Sequence, residues 1–146
     1  MGILLNSVLY YMIVKLEDPF FIPQLKELYR EGMNKDPDNF EFLLYRGIGS
    51  SNELILIDVV DKVVNACLYT VLTSWECEPV AFIQVYLSRK GFDTASVRIE
   101  GMNIMEAWAK SYGIKAILSV TEREVGAFEK RYHFHPIGTV IRKPIL

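Results

Sequence analysis

Three apolar runs in the middle of the chain constrain its fold more than any other feature. They are "ELILIDVV" (53–60), "VVNACLYTVLT" (63–73) and "EPVAFIQVYLS" (78–88), all rich in β-branched and aromatic residues. Two residues separate the first pair and four the second, which is hairpin spacing. Asp61-Lys62 reads as a tight turn, and a short polar turn follows Thr73. Strands apolar on both faces ask for a central sheet with cover on each side.

The flanking segments supply that cover. Residues 8–16 read as a first strand. Asp18-Pro19 and Pro23 open a helix with Ile22, Leu25, Leu28 and Tyr29 on one face and Gly32 as its stop. Asp36-Pro37 opens a second helix, with Phe40, Leu43 and Leu44 in register and Gly47 at its end. The stretch from Ala95 to Tyr112 reads as a third, striped with Met102, Met105, Trp108, Ala109 and Tyr112, and Gly113 stops it. Then "IKAILSV" is a buried strand, "EVGAFEKRY" a short helix and "IGTVIRKPI" a last strand. The order β-α-α-β-β-β-α-β-α-β gives an α/β (α+β) fold, with one domain over 12–146 and an apolar arm at 1–11.

The bulk numbers exclude several classes. With 146 residues, 51% hydrophobic and 23% charged, the chain has ample core for one domain. A net charge of −2 argues against bulk nucleic-acid or anionic-membrane binding. Cys67 and Cys77 form no CxxC pair, so neither a disulfide framework nor a metal site is expected, and a reducing cytoplasm is the natural compartment. "MGILLNSVLYYMIV" lacks a positive leading region and is too short to span a bilayer.

In order and local wording the chain resembles the GNAT superfamily of acyl-CoA-dependent N-acetyltransferases. "IVKLEDPFFIPQLKELYRE" is similar to that family's opening strand and first helix, and "EAWAKSYGIKAILSV" to its central helix end and next strand. "FEKRYHFHPIGTVIRKPI" is similar to its last helix and closing strands. The resemblance implies a mixed central sheet with helices on both faces and splayed fourth and fifth strands. The pantetheine arm of acetyl-CoA then lies in that gap, beside Val85 and Leu87. Its pyrophosphate rests on the start of the following helix, in a loop of the form Q/R-x-x-G-x-G/A. No metal is implied.

Position by position, this chain departs from the family. A gap-free alignment puts the loop's Gln/Arg on Asp93, its first glycine on Ser96 and its final small residue on Arg98. A shifted one uses Arg98 and Gly101 as first and fourth positions and ends on Asn103. Arg89, Lys90 and Arg98 supply positive charge for a phosphate, and the amides of Ser96, Val97 and Arg98 supply donors. The family's proton-donating tyrosine falls on Phe128, which cannot donate, and Tyr132 lies one helical turn later as its substitute. "PVAFIQVYL" holds no carboxylate to act as base; Gln84 is its one amide and reads as an outward residue in period two. His133 and His135 lack a third ligand of obvious spacing. Phe20, Phe21, Phe40, Phe42 and Tyr45 either cover the sheet or line an acceptor pocket.

Two functions are implied. One is a weak or inactive acetyl-CoA-dependent transferase with an amine as acceptor. The other is a non-catalytic protein that keeps the fold, pairs with a protein partner or itself through residues 1–11, and sits in an assembly such as a phage particle.

Overall fold

The computed structural model describes residues 13–92, 95–120, 130 and 132–145. A five-stranded sheet runs in the order β1 (Ile13–Lys15), β2 (Glu53–Val60), β3 (Val63–Trp75), β4 (Glu78–Ser88) and β5 (Ile117–Ser119). The first three pairings are antiparallel and β4–β5 is parallel. Helices α1 (Ile22–Met33) and α2 (Asp38–Gly47) follow β1, and α3 (Ala95–Ser111) crosses from β4 to β5.

Local chemistry sets the boundaries. The Asp18 carboxylate accepts from Phe20 N (2.9 Å), which with Pro19 starts a single 3₁₀ turn leading into α1. The helix runs past the expected stop at Gly32. It ends at Asn34, which takes the left-handed conformation (φ 52°) and donates to Arg30 O. Asparagine reaches that region more readily than other side chains, and a left-handed residue closes a helix. The Asp36 carboxylate accepts from Asp38 N (2.8 Å) at the head of α2.

Both hairpin turns consist of two residues with positive φ, Asp61-Lys62 (51°, 64°) and Glu76-Cys77 (51°, 67°). That backbone matches the right-handed twist of the flanking strands.

Each face of the sheet has its own cover. Ile55, Ile57, Cys67, Tyr69 and Leu87 meet Ile22, Leu25 and Leu28 of α1 and Phe40 and Leu44 of α2. On the other face Leu54, Leu56, Leu68 and Ile83 meet Met105 of α3, with Met102 and Trp108 packed beside them. Gly47 permits the close seat of α2, since a Cβ there would stand 2.5 Å from Tyr69 Oη and 2.9 Å from Ile55 Cδ1. Tyr69 Oη in turn reaches Leu43 O (2.8 Å) and Glu53 Oε1, which also takes Arg46 Nη2 at 3.1 Å.

Two expectations need correction. The strand over 137–145 is absent: residues 133–145 lie in no strand, and Ile141 is 89% exposed. A β-branched sequence becomes a strand only where an edge accepts it, and no described strand pairs with it. Gln84 is exposed, as expected, but it stands at a bulge that breaks the strict period of two, as described below. The arm at 1–11 and most of "EVGAFEKRY" lie outside the described residues.

Candidate functional site

The first unusual geometry is in β4. Tyr69 of β3 stands opposite Val85, while its neighbour Thr70 stands opposite Ile83. Gln84 is therefore an extra residue without a cross-strand partner, a β-bulge. The bulge resets the faces of the strand. Ile83 belongs to the cluster under α3, whereas Val85 and Leu87 join the cluster under α1 and α2.

The parallel ladder stops at the same point. β4 pairs with β5 only through Ala81, Phe82 and Ile83 against Ile117, Leu118 and Ser119. From Gln84 to Ser88, β4 keeps β3 on one side and has no described strand on the other. Beyond Ile83 the described β5 has ended, so this edge of β4 presents main chain without a described strand partner. Backbone N–H and C=O groups there are hydrogen-bonding groups that a ligand can satisfy.

Val85 is half-buried and Leu87 is buried toward α1 and α2, so their side chains turn to the core and their backbone lines the strand edge. Tyr86, opposite Leu68, shares the α3 face and is 38% exposed. Thr70, opposite Ile83 beside the bulge, is fully buried with no hydrogen-bond partner for its hydroxyl.

Beyond Ser88 the chain turns toward α3. Arg89 N donates to Asn65 O (2.7 Å), Arg89 Nη2 to Val64 O (3.0 Å), and Phe92 N to Arg89 O (2.9 Å) around Gly91 (φ 83°). Arg89 is thus tied to β3, with further guanidinium donors to spare. Lys90 is exposed in the turn. Anions dock on the N–H groups of a helix's first turn. In α3 that turn holds Ser96, exposed, Val97, 4% exposed, and Arg98, half-buried. Asp93 and Phe128 lie outside the described residues.

The other residues singled out in the sequence have the following surroundings. Tyr132 is half-buried, and His133 (φ 60°) and His135 are exposed. Cys67 is 1% exposed in the core, where burial pushes its thiol up to about 12, so it is no nucleophile. Phe40 is buried and stacks on Tyr29 at 4.6 Å, while Phe20, Phe42 and Tyr45 are exposed on the outside of the helices. A groove between α1 and α2 runs past Tyr45 and is bridged by the Lys26–Glu41 ion pair.

The bulge and Tyr86 are the features that sequence reasoning missed. Residues 80–83 and 85–87 are apolar without interruption, so no alternation marks where the strand changes face.

Four antiparallel-linked strands, a crossing helix and a short fifth strand paired parallel to the fourth decide the architecture. The fold is that of the GNAT acetyltransferases. The aminoglycoside N-acetyltransferase AAC(6′)-Iy, in complex with the bisubstrate analogue CoA-S-monomethyl-acetylneamine, matches with a TM-score of 0.74 at 15% identity, over 92% of this chain and 97% of that one. AAC(6′)-Ih from Acinetobacter baumannii matches with a TM-score of 0.75 at 16% identity, over 92% and 97%. A transcriptional regulator from Bacillus halodurans C-125 matches with a TM-score of 0.77 at 10% identity, over 92% and 99%. No protein-family model and no curated protein sequence matches the chain. At these identities the GNAT likeness is one of fold, and chemistry has to be argued from the residues in the gap. Among the described residues no three His, Cys, Asp or Glu side chains gather as a metal site, and no helix is long and apolar enough to cross a membrane.

Proposed function

We propose that this chain binds the pantetheine arm of acetyl-CoA in the gap between β4 and β5 and transfers its acetyl group slowly to an amine. The observation that carries the reading is the coincidence of the Gln84 bulge with the end of the β4–β5 ladder. Solved neighbours of the same fold include aminoglycoside acetyltransferases in complex with CoA or a CoA analogue, which supports acetyl-CoA as the ligand class. The amide groups of Gln84 to Ser88 hold the arm, and Lys90, Arg98 and the first turn of α3, with Ser96 and Val97, meet the phosphates, helped by Arg89.

Slow transfer follows from what these positions lack. The amine attacks the thioester carbonyl, the C–S bond breaks, CoA leaves as a thiolate, and the proton lost by the amine passes to water. The parted stretch of β4 carries Gln84 where a base is wanted, and an amide takes no proton near neutral pH. Phe128 holds the place of a proton donor to the thiolate, which leaves Tyr132 as the nearest hydroxyl in the sequence. A thiolate is a tolerable leaving group, so the reaction is slowed and not forbidden.

Calorimetric titration with acetyl-CoA and CoA tests the binding. Micromolar affinity that Arg98→Glu abolishes supports the reading; no heat up to millimolar ligand refutes it. Replacement of all three signature roles favours a second reading, a non-catalytic protein in an assembly, and that null result is what it predicts. For the transfer step, Phe128→Tyr should raise the rate of CoA release, and an unchanged rate would remove Phe128 from the acid's place.

A further inference from the structure

Asp58 is a buried carboxylate that the proposed transfer does not use. It is 2% exposed, and among the described residues neither of its oxygens has a hydrogen-bond partner. An ionised carboxylate in such a place is costly, so the group stays neutral or has to reach water. Its position gives that choice a consequence.

Asp58 shares with Leu54 and Leu56 the face of β2 that α3 covers. In register it stands between Ile13 of β1 and Ala66 of β3, and Ala66 stands opposite Ser88, the last residue of β4. A second bulge lies beside it. Asp58 opposes Ala66 and Val59 opposes Val64, which leaves Asn65 as the extra residue. The Asn65 carbonyl accepts from Arg89 N (2.7 Å), and the Val64 carbonyl from Arg89 Nη2 (3.0 Å). The carboxyl thus sits at the root of the turn that leads from β4 into α3. The start of α3 roofs this row: Val97 is buried, and a Cβ on Gly101 would stand 3.9 Å from Leu68 Cδ2.

Glu100 of α3 is the charged group that acts on Asp58. Lys15 of β1 is exposed opposite Leu56, Arg89 is bonded to β3, and Arg98 is half-buried in the first turn of α3. From β3 come only Ala66 and the neutral amide of Asn65. Burial, foremost, favours the protonated carboxyl, the Asn65 amide opposes it, and Glu100 adds to it.

We propose that Asp58 is a positioning residue for the start of α3, seating Val97 to Gly101 on the sheet when protonated and releasing them when ionised. Its consequence for acetyl-CoA rests on the reading of that first turn as the phosphate site. A seated first turn aims its amides together at an anion, and a neutral Asp58 puts no negative charge beneath them. Proton and anion therefore favour the same state, and each binds more tightly when the other is present. Affinity for acetyl-CoA falls as pH rises through the Asp58 titration, and binding takes up a proton.

Two measurements test it. In the ligand-free protein, NMR follows the Asp58 carboxyl carbon and the amides of Val97 to Gly101 from about pH 4 to about pH 8. They should share one midpoint, which Glu100→Gln moves toward the ordinary 3.8 and Asp58→Asn abolishes. Amides that ignore the carboxyl overturn the proposal, whatever acetyl-CoA does. Calorimetry over the same range compares acetyl-CoA affinity in the wild type and Asp58→Asn, since the ligand's own phosphate titrates alike in both. Wild-type affinity should fall relative to the variant by roughly fivefold or more, the low end of ordinary coupling between sites. Parallel affinity profiles overturn the proposal. If Asp58→Asn does not fold, Glu100→Gln decides: its affinity profile should move to lower pH, and an unmoved profile overturns the proposal. If the amides follow Asp58 and neither protein binds at any pH, the seating holds and the acetyl-CoA reading is what fails.

Discussion

Asp58 is the residue least at ease in this fold. It lies on the face that α3 covers, is 2% exposed, and receives no hydrogen bond on either carboxylate oxygen. Burial, first, and the nearby charge of Glu100 push its pKa above the ordinary 3.8, while the Asn65 amide opposes them. The folded state thus holds this proton more tightly than the unfolded chain does. Its stabilising share is whole below 3.8 and is lost as pH rises through the raised value. Thermal unfolding from mildly acidic to neutral pH should show falling stability in the wild type and a flatter profile in Asp58→Asn; parallel profiles would contradict this. Cys67 and Tyr69 do not confuse the comparison, because their ordinary values of 9.0 and 10.0 are raised further and act only in alkali. Tyr69 gives a second test. Tyr69→Phe strips Leu43 O and Glu53 of a buried partner and should cost about 1–3 kcal/mol in denaturant unfolding. Gly47→Ala should cost a similar amount, roughly 1–3 kcal/mol, by overpacking against Tyr69 Oη. Combined, the two should cost clearly less than their sum, since the phenylalanine removes the atom the new methyl strikes; strict additivity would refute that contact.

At the scale of elements, the two hairpins make a matched pair. Asp61-Lys62 and Glu76-Cys77 both adopt positive φ, and neither contains glycine. Replacing Glu76-Cys77 with Asn-Gly should stabilise the fold by about 1 kcal/mol, because left-handed backbone costs other side chains more. An unchanged denaturation midpoint would mean the turn carries no such strain. The first hairpin was legible in the sequence, since two polar residues between β-branched runs leave little choice. Helix α3 was equally legible from its stripe of Met102, Met105, Trp108 and Ala109. The stop of α1 was misplaced at Gly32, because Asn34 supplies the same left-handed geometry two residues on. The bulge at Gln84 was not legible. Residues on both sides of it are apolar, so either face of the sheet accepts them, and only the packing of Ile83 against α3 and Leu87 against α1 decides. The strand expected over 137–145 is not formed, because a β-branched composition becomes a strand only when it pairs with an edge.

For the whole molecule, the sheet does two separate jobs. Its antiparallel part, β1 to β4, is covered on both faces and carries the stability, with Leu25, Leu44 and Met105 fully buried against it. Its parallel edge is short, and beyond Ile83 β4 has no described strand neighbour on that side, which is where the proposed ligand would lie. The candidate site was only half legible in the sequence. The basic residues Arg89, Lys90 and Arg98 were visible, but the gap that gives them meaning depends on register, and register is a tertiary property. The most direct measurement is the backbone amide NMR spectrum of the full chain during titration with acetyl-CoA. The largest shifts should fall on Gln84 to Ser88 and on Ser96 to Arg98, with Lys26, Glu41 and Tyr45 in the α1–α2 groove unmoved. A spectrum that does not change, or changes centred on that groove, would contradict the assignment of the β4–β5 gap as the acetyl-CoA site.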